Sequence, residues 1–171
     1  YGDEAEEVAV RREAKRARET VALFDGSPLG KIEVIGPQAA EFLDFVYYNT
    51  MSTLKPGRCR YGFVLAESGV VLDDGVLVRL DETRFVVSCS SSHVRTIHGV
   101  LEEWRQDRFD RSRVFVHDAT SAYATLTVSG PLSKRLLEAA GIEVDLDDRA
   151  LPHMAWAAGA FAGTPIRVTR V

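Results

Sequence analysis

Arg60-Tyr-Gly-Phe-Val-Leu-Ala-Glu-Ser-Gly-Val-Val-Leu-Asp-Asp-Gly-Val-Leu-Val-Arg-Leu80, followed after a short polar break by Arg84-Phe-Val-Val-Ser-Cys89, decides how the rest of the chain is read. Its apolar, β-branched runs are of strand length, and turn residues interrupt them at Glu67-Ser-Gly69 and between Leu80 and Arg84. Strands over 60–65, 70–72, 75–80 and 84–89 follow, arranged as an antiparallel meander.

Upstream, Lys31-Ile-Glu-Val-Ile35 alternates with period two and reads as another strand. Gly36-Pro37 then opens a helix to about Tyr48, with Ala39, Phe42, Leu43 and Val46 on one stripe. Downstream, Ser90, Ser91 and Ser92 are candidate N-caps for a helix that puts Val94, Ile97, Leu101 and Trp104 on one face. Strands return at Val114-Phe-Val-His117 and Tyr123-Ala-Thr-Leu-Thr-Val128. Gly130-Pro131 opens a further helix with Leu132, Leu136 and Leu137 inward and Gly141 at its end. Strand, Gly-Pro, helix thus occurs twice, at Glu33–Val46 and Thr127–Ala140, and Pro165–Val171 is a last strand. Antiparallel runs between widely spaced helices imply an α+β fold with antiparallel sheets and packed helices rather than a doubly wound parallel sheet.

Residues 1–20 read as a mostly exposed helix or linker, acidic at its start and basic at its end, ahead of a domain over 21–171. Arg11, Arg12, Lys15, Arg16 and Arg18 are interleaved with glutamates, the pattern of a solvated face; a polyanion site is the other reading.

The 171 residues are 46% hydrophobic and 27% charged, the size and make-up of one ordinary domain or two very small ones. A chain this long buries roughly 70% of its unfolded surface, so it needs no disulfide or structural metal. Cys59 and Cys89 form no CxxC or Cys/His cluster and read as two reduced, buried thiols. A net charge of −4 argues against nucleic acid. No apolar run approaches the ~20 residues that span a bilayer, and no signal peptide is present, so the chain reads as cytoplasmic. It begins at Tyr1 and stops at Val171 inside a strand, which makes it a piece of a longer protein in this reading. Phosphate-cradling, dinucleotide-binding, HExxH and GxSxG motifs are absent, and His93, His98, His117 and His153 do not have metal-ligand spacing.

The sharpest local feature is Asp73-Asp74 between two apolar runs. Strand neighbours point to opposite faces, so one carboxylate is expected inward and the other outward. An acid withdrawn from water has its charged form penalised, which suits proton transfer or pairing with a ligand nitrogen. The alternative is a bulge or bend at Gly75 with both acids solvated.

Val21-Ala-Leu-Phe-Asp-Gly-Ser-Pro-Leu-Gly-Lys-Ile-Glu-Val34, Gly36-Pro-Gln-Ala-Ala-Glu-Phe-Leu43, Leu54-Lys-Pro-Gly-Arg-Cys-Arg-Tyr-Gly62, Glu67-Ser-Gly-Val-Val-Leu-Asp-Asp-Gly-Val76 and Val128-Ser-Gly-Pro131 together resemble the tetrahydrofolate-dependent aminomethyltransferase family, the glycine-cleavage T-protein and its relatives. Leu29-Gly-Lys31, residues 55–62, Asp73-Asp-Gly75 and Leu151-Pro-His-Met154 look most like the folate-binding C-terminal region of the heterotetrameric sarcosine oxidase alpha subunit.

That resemblance implies a ferredoxin-like, T-protein type of folate-binding fold, of which this chain is the first part. It implies that tetrahydrofolate takes up the one-carbon unit of an oxidised N-methyl amine to give 5,10-methylenetetrahydrofolate. FAD, FMN or NAD would act in other parts of the enzyme, and its other subunits or domains would be the partners. The family's key acid aligns with Asp74, and the pocket positions that carry over are Leu29, Tyr61, Val78 and Ser88. The chain departs from the T-protein pattern in having Pro28-Leu-Gly30 for His-Met-Gly, Val78 for an aromatic residue and Ser88 for Asn. The family's Tyr-Thr-Gly-Glu segment is expected just past Val171. The alternative is a non-catalytic folate-binding or interaction module of the same fold, like certain iron-sulfur assembly factors.

Overall fold

The computed structural model describes residues 4–171. It begins with α1 (Glu6–Glu19), which has Glu6 and Glu7 in its first turn and Arg16 and Arg18 in its last, complementing the helix dipole. The remaining elements are β1 (Ala22–Asp25), β2 (Gly30–Ile35), α2 (Ala39–Val46), β3 (Cys59–Leu65), β4 (Val71–Arg79), β5 (Arg84–Cys89), α3 (Val94–Arg108), β6 (Phe115–Asp118), β7 (Leu126–Ser129), α4 (Ser133–Ala139), β8 (Ala155–Phe161) and β9 (Thr164–Arg170). Every strand pair is antiparallel. A five-stranded sheet in the order β3-β4-β5-β2-β6 is joined by a β1–β7 ribbon and a β8–β9 hairpin, so the α+β architecture expected from the meander is the one observed.

The main core lies between one face of the five-stranded sheet and α2 and α3. Ile32, Val34, Leu77, Phe85 and Val87 from the strands meet Phe42, Leu43, Ile97 and Leu101 from the helices, none more than 1% exposed. Burying each such side chain is worth ~2 kcal/mol, so this layer carries most of the driving force for folding. Phe109 closes one end with its ring edge-on to Phe42, the centroids 5.1 Å apart. A smaller cluster of Leu146, Leu151 and Ala155 sits under the β8–β9 hairpin.

Several local expectations are corrected. The runs at 70–72 and 75–80 are one strand, β4, because Asp73 and Asp74 pair across the ladder with Val64 and Phe63 and their charges do not break it. The register slips between Val64 and Leu65, leaving Leu72 as the extra residue of a bulge. The strand expected over 123–128 begins only at Leu126, because Thr120–Ala122 is a 3-10 turn. The serines after β5 do not cap a helix with their side chains: Ser90 precedes a 3-10 turn and its hydroxyl donates to Asp73. Of the leucines expected inward on the helix after Pro131, Leu136 is exposed and Leu137 packs against the small cluster, since a helix as short as α4 offers that cluster a single apolar position. Strands β1 and β8 were not foreseen; β1 has little burial to shape its sequence, and β8 is an Ala-rich run without alternation. No helix among the described residues is long and apolar enough to cross a membrane.

Candidate functional site

The second face of the five-stranded sheet is turned away from α2 and α3. Residues opposed across a ladder share a face, and the register opposes Tyr61 to Val76, Phe63 to Asp74, Val78 to Val86 and Lys31 to Ser88. Tyr61, Asp74, Val78 and Ser88 therefore project from this same face, although they come from three different strands. Leu29 lies in the turn before β2, which Lys31 ties down by donating from its ammonium to the carbonyls of Ser27 at 2.9 Å and Leu29 at 2.8 Å. Four of the five residues singled out from the sequence thus share this face, and Leu29 lies in the turn at the start of β2.

Asp74 is solvent-facing, and its Oδ2 accepts a hydrogen bond from the Tyr61 hydroxyl. That bond, with the nearby negative charge, holds the Tyr61 phenol above its ordinary ionisation range. Val76, Val78 and Phe63 are half-buried around the pair and give it an apolar frame. Ser88 is occupied differently: its hydroxyl donates to Val76 O at 2.9 Å and accepts from Val76 N at 2.8 Å, so it substitutes for a ladder bond. Between them Gly75 passes so close to β5 that a Cβ there would lie 2.1 Å from Ser88 O, and only glycine fits.

The two adjacent acids divide as strand alternation requires, and the buried one is Asp73. It is 5% exposed on the helix-covered side, accepting from Ser90 N at 2.9 Å and Ser90 Oγ at 2.7 Å. The bulge foreseen as an alternative is also present, one residue before the pair rather than at Gly75.

Sequence reasoning missed a second polar cluster on the open face. Glu33, 5% exposed, receives Arg84 Nη2 at 2.7 and 2.9 Å and the Tyr123 hydroxyl at 2.6 Å. Arg167 stacks over Tyr123, 4.6 Å from the ring centroid. Burial opposes the charge on Glu33, but the bonds from Tyr123 and Arg84 outweigh it and hold the carboxyl below its usual range. Lys31 is pulled down by burial. The available signal was Lys31 and Glu33 at alternate positions of an otherwise apolar strand, which puts both charges on one face. Beside Tyr123 a groove of about 410 Å³ is lined by Ser27, Asp118, Thr120 and Ser121. Cys59 and Cys89 are buried free thiols, each pushed up to about 11 by burial. Among the described residues no three His, Cys, Asp or Glu side chains are grouped to hold a metal ion.

An exposed carboxylate beside a phenol, in an apolar frame, can accept hydrogen bonds from N–H groups of a flat ligand and hold or pass a proton. Comparison with known proteins identifies the chain's relatives. Residues 1–171 match the family described as the GCVT N-terminal domain. The chain is 40% identical over 171 residues to the aminomethyltransferase of Streptomyces coelicolor, covering 99% of this chain and 42% of that protein. It is 35% identical over 169 residues to the sarcosine oxidase subunit alpha of Corynebacterium sp. strain U-96, covering 98% of this chain and 18% of that one. The chain thus spans less than half the length of either relative. The crystal structure of the glycine cleavage system aminomethyltransferase T from Bartonella henselae superposes with a TM-score of 0.70 at 30% identity, over 85% of this chain and 37% of that one. The heterotetrameric sarcosine oxidase from Corynebacterium sp. U-96 shares the fold, with a TM-score of 0.57 at 15% identity over 96% of this chain and 78% of that chain.

Proposed function

This chain belongs to the GCVT N-terminal domain family, and from that premise we propose that its open sheet face binds tetrahydrofolate for one-carbon transfer. The one-carbon unit comes from an oxidised N-methyl amine of the sarcosine kind, and the product is 5,10-methylenetetrahydrofolate. The chain is then the folate-binding part of an amine-oxidising enzyme related to the sarcosine oxidase alpha subunit. Further domains or subunits of that enzyme carry FAD, FMN or NAD, and within this chain residues 21–171 form the folate module behind the N-terminal segment 1–20, which carries α1.

The observation that supports this reading best is Asp74 joined to Tyr61 on a solvent-facing part of the sheet side turned away from its closed core. The fit to a reduced pterin rests on the same geometry. A carboxylate accepts from ring N–H groups, while Val76, Val78 and Phe63 offer apolar surface to a flat ring. Tetrahydrofolate supplies two amine nitrogens able to share one carbon. Asp74 orients those nitrogens and stabilises the positive charge that grows as one of them attacks. Tyr61 holds the Asp74 carboxylate in one rotamer. Leu29, on the turn fastened by Lys31, excludes water from one edge. Ser88 contributes by holding the backbone of Val76, since its hydroxyl already bonds both polar groups of that residue.

In the complete protein, Asp74→Asn is expected to lower the rate of methylenetetrahydrofolate formation by about a hundredfold, the usual contribution of a positioned acid or base. Its tetrahydrofolate affinity, from calorimetric titration, should change much less. An unaltered rate removes Asp74 from the mechanism, and absence of tetrahydrofolate binding by the unmodified complete protein removes the folate reading itself.

A further inference from the structure

Backbone pairing between β4 and β5 covers only Leu77, Val78 and Arg79 with Val87, Val86 and Phe85. The part of β4 that carries the two acids therefore has no ladder on its β5 side. On its other side the ladder with β3 pairs Asp74 with Phe63 and Asp73 with Val64, is interrupted by the bulge at Leu72 and closes with Val71 opposite Leu65. Beyond the bulge the hairpin tip is solvent-exposed, Val70 at 64% and Val71 at 49%.

Side chains take over where the ladder stops. Ser88 Oγ bonds both polar backbone groups of Val76. Three residues further along β4, the Asp73 carboxylate accepts from both the backbone N–H and the hydroxyl of Ser90, at the entrance to α3. His93 Nδ1 lies 3.8 Å from the same carboxylate, outside hydrogen-bond distance. Asp73 is thus the last attachment of β4 to β5 before a free hairpin end. Because Asp74 is the next residue, any swing of the strand at Asp73 carries the Asp74 carboxylate with it.

We infer that Asp73 is a positioning residue: anchored on Ser90, it fixes where Asp74 presents its carboxylate to Tyr61 and to a bound ligand. The positional part stands on the geometry alone, and its consequence for catalysis rests on the folate reading above. Two charges on opposite faces of one strand then have separate duties. The buried acid locks the strand, and the exposed acid works.

The test uses the Tyr61 phenol as a reporter of Asp74, because their hydrogen bond is the main reason that phenol resists ionisation. Ultraviolet titration of the complete protein, each variant measured against the same variant carrying Tyr61→Phe, isolates the Tyr61 transition. Asp73→Ala is expected to move that transition toward lower pH, in part by direct loss of the Asp73 charge, which itself raises the Tyr61 ionisation. Asp73→Asn keeps an acceptor for the Ser90 hydroxyl and should shift it less. Ser90→Ala keeps the Asp73 charge and the backbone bond, so its smaller shift toward lower pH reports the anchor alone and decides the question. A Tyr61 transition unmoved in Ser90→Ala overturns the inference. Turnover separates the two readings: Asp73→Ala should lower kcat by tenfold to a hundredfold, the scale of an ~1 Å misplacement, with little further loss on an Asp74→Asn background. A Tyr61 shifted in Ser90→Ala, with kcat unchanged in Asp73→Ala, would uphold the positioning role and refute Asp74 as a catalytic residue. Losses that simply add on the Asp74→Asn background, with Tyr61 unmoved, would make Asp73 a stability residue only.

Discussion

The two faces of the five-stranded sheet are built from the same strands, residue by alternate residue, yet they follow opposite rules. On the helix side Ile32, Val34, Leu77, Phe85 and Val87 form a fully buried apolar centre, with Asp73 and Arg79 buried at its margin. On the other side the same strands carry Lys31, Glu33, Tyr61, Asp74 and Ser88, and their burial comes from turns and side-chain partners instead of a helix. The difference separates stability from chemistry. The centre of one face is built for packing, with its two charges confined to the margin, while the other face keeps most of the sheet's charges in fixed positions, held by named hydrogen bonds.

If that division holds, changes on the helix side should be the most damaging to stability. Phe42→Ala should lower unfolding free energy by about 4 kcal/mol, read by denaturant unfolding, because a large fully buried ring leaves a cavity beneath Phe109. A loss under ~1 kcal/mol would break the comparison. On the open face, Arg84→Met strands the Glu33 carboxylate and should cost about 2 kcal/mol, less than for a fully buried pair because the Arg84 side chain is 41% exposed. The folded-state Glu33 carboxyl titrates below its ordinary value of 4.5. Its contribution is therefore fully present above that value and is lost as pH falls through the folded one, so the gap between the two proteins should close in acid. A gap that stayed constant to low pH would assign the loss to packing. The smallest expected effect is Asp74→Asn, which should leave stability within ~0.5 kcal/mol despite its effect on activity, since the residue is exposed. A larger loss would mean that the Tyr61–Asp74 bond is part of the fold.

Much of this was legible beforehand where periodicity had a single cause. The stripe of Ala39, Phe42 and Leu43 and that of Ile97 and Leu101 became the two covering helices because each is buried on one face only. The meander over 60–89 became β3, β4 and β5 for the same reason. The elements that escaped, β1, β8 and most of the inward face of α4, lie at the periphery, where little burial shapes the sequence. Glu33 and Arg84 escaped as a pair because their contact depends on the register of β2 with β5, which no local pattern contains.

The Asp73-Asp74 dipeptide marks the boundary between the two kinds of information. By itself the sequence determined that adjacent strand residues must point apart, so one acid would be withdrawn and one exposed; that follows from the two-residue repeat of an extended chain. Which acid is which depended on the bulge at Leu72, the order β3-β4-β5-β2-β6 and the arrival of α3 beside Ser90. Those are long-range facts, set by which strands find each other and where a helix lies down, and only the tertiary structure could turn Asp73 into an anchor and leave Asp74 facing the open side.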